Sequence, residues 1–290
     1  MKKSWMLVLL VLVVVIAGCG NAGNAGNKDS DKNTNTTKTE NSAAENKTAT
    51  EPITIKVATL IPPMTDMLDI AKPILEKEGV KLEVLVLSDN VQPNDALANK
   101  EVDANFFQHV PYMTQYNESK DANLTPIQPI YFPIYGAYSK KYKSIDELPD
   151  GAAVAIANDP SNIGRSLDML AKQGLIKLKE GVGINATQQD IVENSKNLII
   201  NEVDLLMLAR MMDDVDLVLM TPAYAKPLGL TPKKDALFTE GDDSEFAVTL
   251  IAREDNKDSE AIQKLGKALA SPEVKQFLED NYGEISLPAF

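Results

Sequence analysis

Residues 53–61 read Ile-Thr-Ile-Lys-Val-Ala-Thr-Leu-Ile and run directly into Pro62 and Pro63. Apolar and polar residues alternate over the first five positions and the run then becomes mostly apolar, which is the pattern of a largely buried strand. Beyond the prolines, apolar residues recur at helical spacing until Gly79 supplies a stop. A buried strand followed by an amphipathic helix is typical of the first unit of an α/β fold.

The same alternation of strand and helix signals continues along the chain. A helical pattern covers residues 163–173, and Ser259 and Ser271 are placed to cap two closing helices. Alternating strands and helices favour an α/β fold with mostly parallel sheets, and we expect two such lobes with a cleft between them. The further strand-like runs are 82–87, 152–157, 215–220 and 246–252.

The composition disfavours several classes of function. Lys and Arg number 29 against 42 Asp and Glu, so the chain carries a formal charge of −13 and repels nucleic-acid phosphates. One Cys and one His cannot form a disulfide framework, a two-cysteine redox pair or a multi-histidine metal cage. We therefore predict no nucleic-acid partner, no metal site and no cofactor.

The amino terminus has the features of a bacterial lipoprotein signal. Two lysines precede an apolar run at 7–16, which is about half of the length that spans a bilayer. Ile-Ala-Gly-Cys at 16–19 resembles a lipobox, so we predict a signal peptide over 1–18 and a lipid on Cys19 that anchors the protein outside the cytoplasm. The alternative is an ordinary secretory signal with a chance cysteine. After Cys19 no apolar side chain except Ala occurs up to residue 51, which predicts a disordered tether over 19–51.

Several motifs stand out in the folded part of the chain. Asp-Ala-Asn-Phe-Phe-Gln-His-Val-Pro-Tyr lies at 103–112, and Asn-Asp-Pro-Ser-Asn-Ile-Gly-Arg lies at 158–165. Together with segments 138–141, 174–178 and 228–232, these motifs resemble the methionine-binding lipoproteins that serve ABC-type methionine importers. The resemblance extends over essentially the whole folded part.

The resemblance implies a two-lobed periplasmic-binding-protein fold of the Venus-flytrap type, with the ligand enclosed between the lobes. Residues 52–137 plus 228–290 are expected to form the first lobe, and residues 138–227 the second. It also implies a monomer without enzymatic activity. Such a protein delivers methionine, or a related amino acid or short peptide, to an ABC permease and its ATPase.

Phe107, His109 and Tyr112 are the first candidate ligand-binding residues. Aromatic rings pack well against an apolar or thioether chain, while their O–H and N–H groups fix its orientation. The spacing alone fits a core cluster at a strand-to-helix junction equally well, and the resemblance favours a pocket. No nucleophile motif accompanies His109, so a role as general base is disfavoured.

The motif at 158–165 supplies the second group of candidates. Asp159, Ser161 or Asn162 can cap the helix that follows, and the free N–H groups of that helix favour an anion. The planar guanidinium of Arg165 can donate two hydrogen bonds to one carboxylate. An arginine near a helix cap nevertheless lies more often on the protein surface. The resemblance implies that Asn162 and Arg165 bind an amino acid. Replacing Arg165 by Ala is then expected to lower ligand affinity with little effect on fold stability.

Three further candidates depart from the residues that are usual in relatives. Asn90 stands where an aromatic residue, usually Tyr, follows the second strand, and Thr221 and Thr249 stand where Asn is usual. Threonine cannot offer the two donors of an amide. We therefore expect weaker binding of free L-methionine, or a longer or more polar ligand such as a methionine-containing dipeptide.

Other interpretations remain open at this point. A different small polar or acidic solute on the same fold is one alternative, and a surface adhesin or an enzyme of the same fold are others. The acid-rich segments are interpreted as a solvated face, and they contain Asp213, Asp214, Asp216, Glu240, Asp242 and Asp243.

Overall fold

The computed structural model of the protein describes residues 52–241 and 244–290. The predicted signal peptide, the lipid site at Cys19 and the tether lie outside the described residues. The strands are β1 (Ile53–Thr59), β2 (Val80–Val86), β3 (Ala104–His109), β4 (Leu124–Pro133), β5 (Gly136–Tyr138), β6 (Ala153–Ala157), β7 (Lys177–Leu178), β8 (Ile191–Glu193), β9 (Ile199–Val203), β10 (Leu217–Met220), β11 (Ala236–Thr239), β12 (Val248–Arg253) and β13 (Ser286–Pro288). The α-helices are α1 (Met64–Lys77), α2 (Gln92–Ala98), α3 (Val110–Lys120), α4 (Pro160–Lys172), α5 (Leu208–Met211), α6 (Pro222–Ala225), α7 (Pro232–Asp235), α8 (Glu260–Leu269) and α9 (Pro272–Tyr282).

The order of these elements confirms the predicted alternation of strands and helices. The opening strand is β1, the amphipathic segment after the two prolines is α1, and β6 leads through a short loop into α4. Asp159 caps α4 and Ser271 caps α9, each through its side chain. Ser259 occupies the N-cap position of α8 without a side-chain hydrogen bond.

Two sheets organise the described residues, with strand orders β13-β4-β12-β3-β1-β2 and β11-β5-β10-β6-β9. The expectation of mostly parallel sheets is wrong, because both sheets are mixed. In the larger sheet β1 is parallel to β2 and β3, whereas β12 is antiparallel to β3 and β4. In the smaller sheet β10 is parallel to β6 and antiparallel to β5.

The antiparallel strands flank the places where the chain passes from one sheet to the other. The chain leaves the larger sheet after β4 and enters the smaller one at β5, and it returns between β11 and β12. The four strands at these passages, β4, β5, β11 and β12, are all antiparallel to their neighbours in their own sheets. The smaller sheet therefore takes its strands from residues 136–239. The division into lobes at residues 138 and 228 stays a prediction.

Each sheet has its own hydrophobic core. Helices α1, α8 and α9 cover the larger sheet, and Met67, Leu265 and Leu278 are completely buried there. Helix α4 packs on the smaller sheet through Leu167 and Leu170, which lie on the same face of the helix. The described residues, 52–241 and 244–290, contain no helix that is both long enough and apolar enough to cross a bilayer.

Candidate ligand-binding site

A cavity lies between the two sheets. Seven of the eight predicted ligand-binding residues line it, namely Asn90, Phe107, His109, Tyr112, Asn162, Arg165 and Thr221. The rest of the wall is mostly apolar or aromatic and includes Leu60, Met64, Tyr131, Tyr224, Val248 and Tyr282. The cavity thus combines an apolar surface with a small group of polar side chains, which is the usual composition of a small-molecule site.

The aromatic wall is built at the junction of β3 and α3. The ring of Tyr112 stands edge-on to two others, with its centroid 6.0 Å from that of Phe107 and 6.2 Å from that of His109. The Tyr112 hydroxyl donates a hydrogen bond to the backbone carbonyl of Asn90 at 2.9 Å. Asn90 therefore positions this ring through its main chain, whatever its side chain contributes to the ligand.

A buried amide network holds β3 in place behind this wall. Asn105 Nδ2 donates to Asn94 Oδ1 at 2.8 Å, and Asn94 Nδ2 donates to Gln108 Oε1 at 2.9 Å. Gln108 Nε2 donates in turn to Asn105 Oδ1 at 3.0 Å. Buried polar groups that are mutually bonded fix a single arrangement. The network therefore sets the position of Phe107 and His109, which alternate with its members along the strand.

His109 is both a wall residue and the N-cap of α3. Its Nδ1 accepts a hydrogen bond from the backbone N–H of Tyr112 at 3.2 Å, so the proton of the neutral ring belongs on Nε2. The ring packs edge-on against Phe246, with centroids 5.0 Å apart. Burial, and next the positive charge of Arg165, lower the pKa of His109 to about 3. The imidazole is therefore neutral at physiological pH.

Because His109 is neutral in the folded protein, we predict that the free energy of unfolding decreases at acidic pH. In the unfolded chain His109 takes up a proton below about pH 6.5, whereas in the folded protein it stays neutral down to about pH 3. The free energy of unfolding therefore falls as the pH is lowered through this window, by up to about 1.4 kcal/mol per pH unit. Denaturant titrations at several pH values measure the fall. The variant His109→Asn keeps a capping oxygen and should lose about 1 kcal/mol less than the wild type for each pH unit below about pH 6; equal losses would contradict this account.

The start of α4 supplies an unpaired acceptor to the cavity. The carboxylate of Asp159 accepts hydrogen bonds from the backbone N–H of Asn162 at 3.0 Å and from its Nδ2 at 2.9 Å. The anion favoured by this helix start is thus Asp159 itself. Because the amide nitrogen of Asn162 is held in this way, Oδ1 is left as the free end of the side chain. It is buried, its polar neighbour is the imidazole of His109, and no group in the part of the chain that the structure describes meets it in hydrogen-bond geometry.

Arg165, one turn further along α4, is bound to a carboxylate of the chain itself. Its Nε donates to Glu240 Oε1 at 2.9 Å, and its Nη2 donates to Glu240 Oε2. The guanidinium carbon also lies 4.3 Å from the ring centroid of Tyr135 and 4.2 Å from that of Phe246. The third nitrogen, Nη1, is buried without a partner among the described residues. Arg165 is thus a core residue that offers one donor to the cavity.

The structure places the eighth candidate, Thr249, away from the cavity. Thr249 is 1% exposed, and its hydroxyl donates to the carbonyl of Ala247 at 2.9 Å. The neighbouring Val248 lines the cavity instead. Successive residues of a strand point to opposite faces, and the pairing of β12 shifts register on both sides of Thr249. The face that each residue presents is therefore set by these bulges.

Reasoning from the sequence missed three residues of the site. Tyr135 and Phe246 hold the Arg165 guanidinium, and Glu240 neutralises it. The interpretation of Glu240 as part of a solvated face is wrong, since its side chain is 9% exposed. A buried arginine requires a carboxylate partner, and that requirement was the available signal. It does not say which of the 42 acidic residues is the partner.

The chain is similar to known proteins over most of its length. The family model described as NlpA lipoprotein matches residues 55–290. The chain is 44% identical over 228 residues to the D-methionine-binding lipoprotein MetQ of Salmonella typhimurium, covering 77% of this chain and 84% of that protein.

Two solved structures are similar over the same region. A nutrient-binding protein from Burkholderia cenocepacia, bound to methionine, is 40% identical with a TM-score of 0.78 and covers 81% of this chain and 100% of its own. An ABC transporter periplasmic substrate-binding protein from Coxiella burnetii is 39% identical with a TM-score of 0.77, over 81% and 100%. These matches confirm the predicted resemblance and the two-lobed binding-protein fold.

Proposed function

The chain belongs to the NlpA lipoprotein family, and from that premise we propose that it binds methionine, or a related amino acid or short peptide, for an ABC importer. One observation carries the proposal. Asn162 and Arg165 both line one cavity, and their atoms Asn162 Oδ1 and Arg165 Nη1 are buried without a hydrogen-bond partner among residues 52–241 and 244–290. An unpaired buried donor or acceptor costs about 1–3 kcal/mol, so a ligand that bonds to both removes a penalty of the free protein.

An α-amino acid has the two groups that these atoms require. Its carboxylate accepts a hydrogen bond from Arg165 Nη1, and its ammonium donates one to Asn162 Oδ1. The aromatic wall formed by Phe107, His109 and Tyr112 then faces the ligand side chain. Aromatic rings attract thioether sulfur, which supports methionine among the amino acids.

The similar proteins also support methionine as the ligand. The side chains of the cavity wall, however, favour weaker binding of methionine or a longer ligand. The similar protein from Salmonella typhimurium is named for D-methionine, and the similar structure from Burkholderia cenocepacia holds methionine. Val248 and Ala223, which line the cavity in this chain, have hydrocarbon side chains, and the lining residue Thr221 has a hydroxyl at a position where the resemblance implies an amide. Fewer polar contacts to the ligand support weaker binding of L-methionine, or a ligand that extends further, such as a dipeptide.

Titration with candidate ligands tests the proposed function. The protein is unfolded in denaturant to release any bound solute, refolded, and titrated calorimetrically with L-methionine, D-methionine and glycyl-methionine. At least one of them is expected to bind with a Kd of about 10 μM or tighter. N-acetyl-methionine amide keeps the thioether but lacks both charges and serves as the control that does not bind. If none of the three binds, or if the control binds equally well, the proposed function is wrong.

We further propose that the protein has no catalytic turnover. His109 is the one histidine of the chain, and it is buried and neutral with its Nδ1 engaged at the cap of α3. The hydroxyl of Ser161 donates to the Asp159 carboxylate at 2.7 Å, and that carboxylate is engaged as the cap of α4. These contacts support binding and release of an unchanged solute.

The proposed location is the outer face of the cell membrane, where a monomer held by a lipid on Cys19 meets its permease and ATPase. The lipobox-like segment at 16–19 and the lipoprotein relatives support this anchor. In cells that express Cys19→Ala, the protein is expected in the medium or as an unprocessed precursor, because the modified thiol is missing. Fractionation followed by mass measurement of the mature terminus checks this. A processed variant that stays on the membrane would show that Cys19 is not the anchor.

A further inference from the structure

Glu240 is hydrogen-bonded to Arg165 on the side of the guanidinium that faces away from the cavity lining, since Glu240 itself is not a lining residue. Besides its two contacts with the guanidinium, its Oε2 accepts a hydrogen bond from Ser244 Oγ at 3.0 Å. Its backbone N–H donates to the carbonyl of Tyr135 at 2.9 Å. The Arg165 side chain is 0% exposed and that of Glu240 is 9% exposed. The two charges therefore form a fixed, buried pair at short range.

This pairing changes what Arg165 offers to a ligand. An isolated guanidinium attracts any anion, but a guanidinium with an adjacent carboxylate presents close to zero net charge. His109 adds none, since its imidazole is neutral. Further charges of both signs lie near the wall: burial, and next the negative charges of Asp204 and Asp159, raise the pKa of the Tyr224 hydroxyl, while Lys226 Nζ lies 3.6 Å from the ring centroid of Tyr282.

We propose that Glu240 is a specificity-determining residue, which makes the cavity select ligands that carry an ammonium group together with their carboxylate and reject simple carboxylates. The inference rests on the proposed function and deepens it. A carboxylate at Arg165 Nη1 is attracted by the guanidinium and repelled by Glu240. An ammonium at Asn162 Oδ1 is attracted by the nearby carboxylates. Its positive charge offsets the negative charge that the ligand carboxylate adds next to the neutral pair of Arg165 and Glu240.

Three probes separate these charges while keeping the same side chain. L-methionine carries both charges, 4-(methylsulfanyl)butanoate lacks the ammonium, and L-methioninol lacks the carboxylate. The wild type is expected to bind L-methionine at least about tenfold more tightly than either of the others. In Glu240→Gln the ratio of methionine to butanoate affinity should fall by about tenfold or more, and binding of methioninol should weaken. A variant that merely loosened the site would weaken all three alike.

Glu245→Gln is the matched control, because it removes an exposed carboxylate five positions away in the sequence and should leave all three affinities unchanged.

A variant Glu240→Gln that keeps the wild-type affinity ratio overturns the inference. If this variant does not fold, the wild-type affinities decide, because the inference requires the wild type to bind 4-(methylsulfanyl)butanoate at least about tenfold more weakly than L-methionine, and equal affinities would overturn it. If the wild type binds none of the probes, the proposed function itself is wrong; if it binds methionine but the ratio does not respond, only the role of Glu240 is wrong.

Discussion

An Arg165→Ala variant is expected to lose about 3–5 kcal/mol of folding free energy, because it leaves the Glu240 carboxylate buried without its partner. Glu240 would retain one side-chain contact, the hydrogen bond from Ser244. The guanidinium also fills the space between the rings of Tyr135 and Phe246, so its removal leaves a cavity. Equilibrium unfolding in urea measures the loss. The sequence alone led us to expect little effect on stability, and the burial of the pair reverses that expectation.

The same variant is expected to lose measurable affinity for the ligand, because Nη1 is the donor offered to its carboxylate. Arg165→Met combined with Glu240→Gln separates the two effects, since it removes both charges and should recover most of the stability but none of the binding. Arg210→Ala is the control for removing an exposed arginine and should change stability by less than about 0.5 kcal/mol. An Arg165→Ala protein as stable as the wild type would show that the pair with Glu240 contributes nothing to the fold.

Much of the architecture was predictable from local patterns. The alternating run at 53–61 is β1, the segment with helical spacing after the prolines is α1, and Asp159 caps α4 as one of three residues able to do so. The aromatic cluster lies at a strand-to-helix junction, as its spacing indicated. These features depend on neighbouring residues, so the sequence contains them directly.

The errors arose where residues far apart in the chain meet. Arg165 and Glu240 are separated by 75 positions, and no spacing rule connects them. The antiparallel direction of β12 is seen only in its pairing with β3 and β4, which are remote in sequence, and strand patterns do not reveal it. The choice between Val248 and Thr249 as the cavity residue depends on bulges in the pairing of β12 with both neighbours. A shift of one residue in a strand exchanges its two faces, so an undetected bulge moves a predicted contact out of the site.

Gly164→Ala is expected to destabilise the protein, although alanine is the better helix former by about 1 kcal/mol. Gly164 lies inside α4 between Asn162 and Arg165, and a Cβ there would lie 1.8 Å from the carbonyl oxygen of Ile184. That atom belongs to backbone and cannot rotate away, so the turn at Gly183–Asn185 and the helix have to separate. The clash should cost about 3 kcal/mol, which leaves a net loss of about 2 kcal/mol. Because α4 carries both unpaired polar atoms of the cavity, ligand affinity should fall as well.

Gly266→Ala provides the matched control within α8. A Cβ on Gly266 would meet Ile127 at 3.5 Å and Gln128 at 3.6 Å, which are ordinary van der Waals distances. The same substitution there should be neutral or stabilise the fold by up to about 1 kcal/mol, and it should leave ligand affinity unchanged. Urea unfolding and calorimetric titration of both variants give the comparison. If Gly164→Ala were as stable as Gly266→Ala, the contact between α4 and the carbonyl of Ile184 would be looser than the structure has it, and glycine at position 164 would not be required to place Arg165.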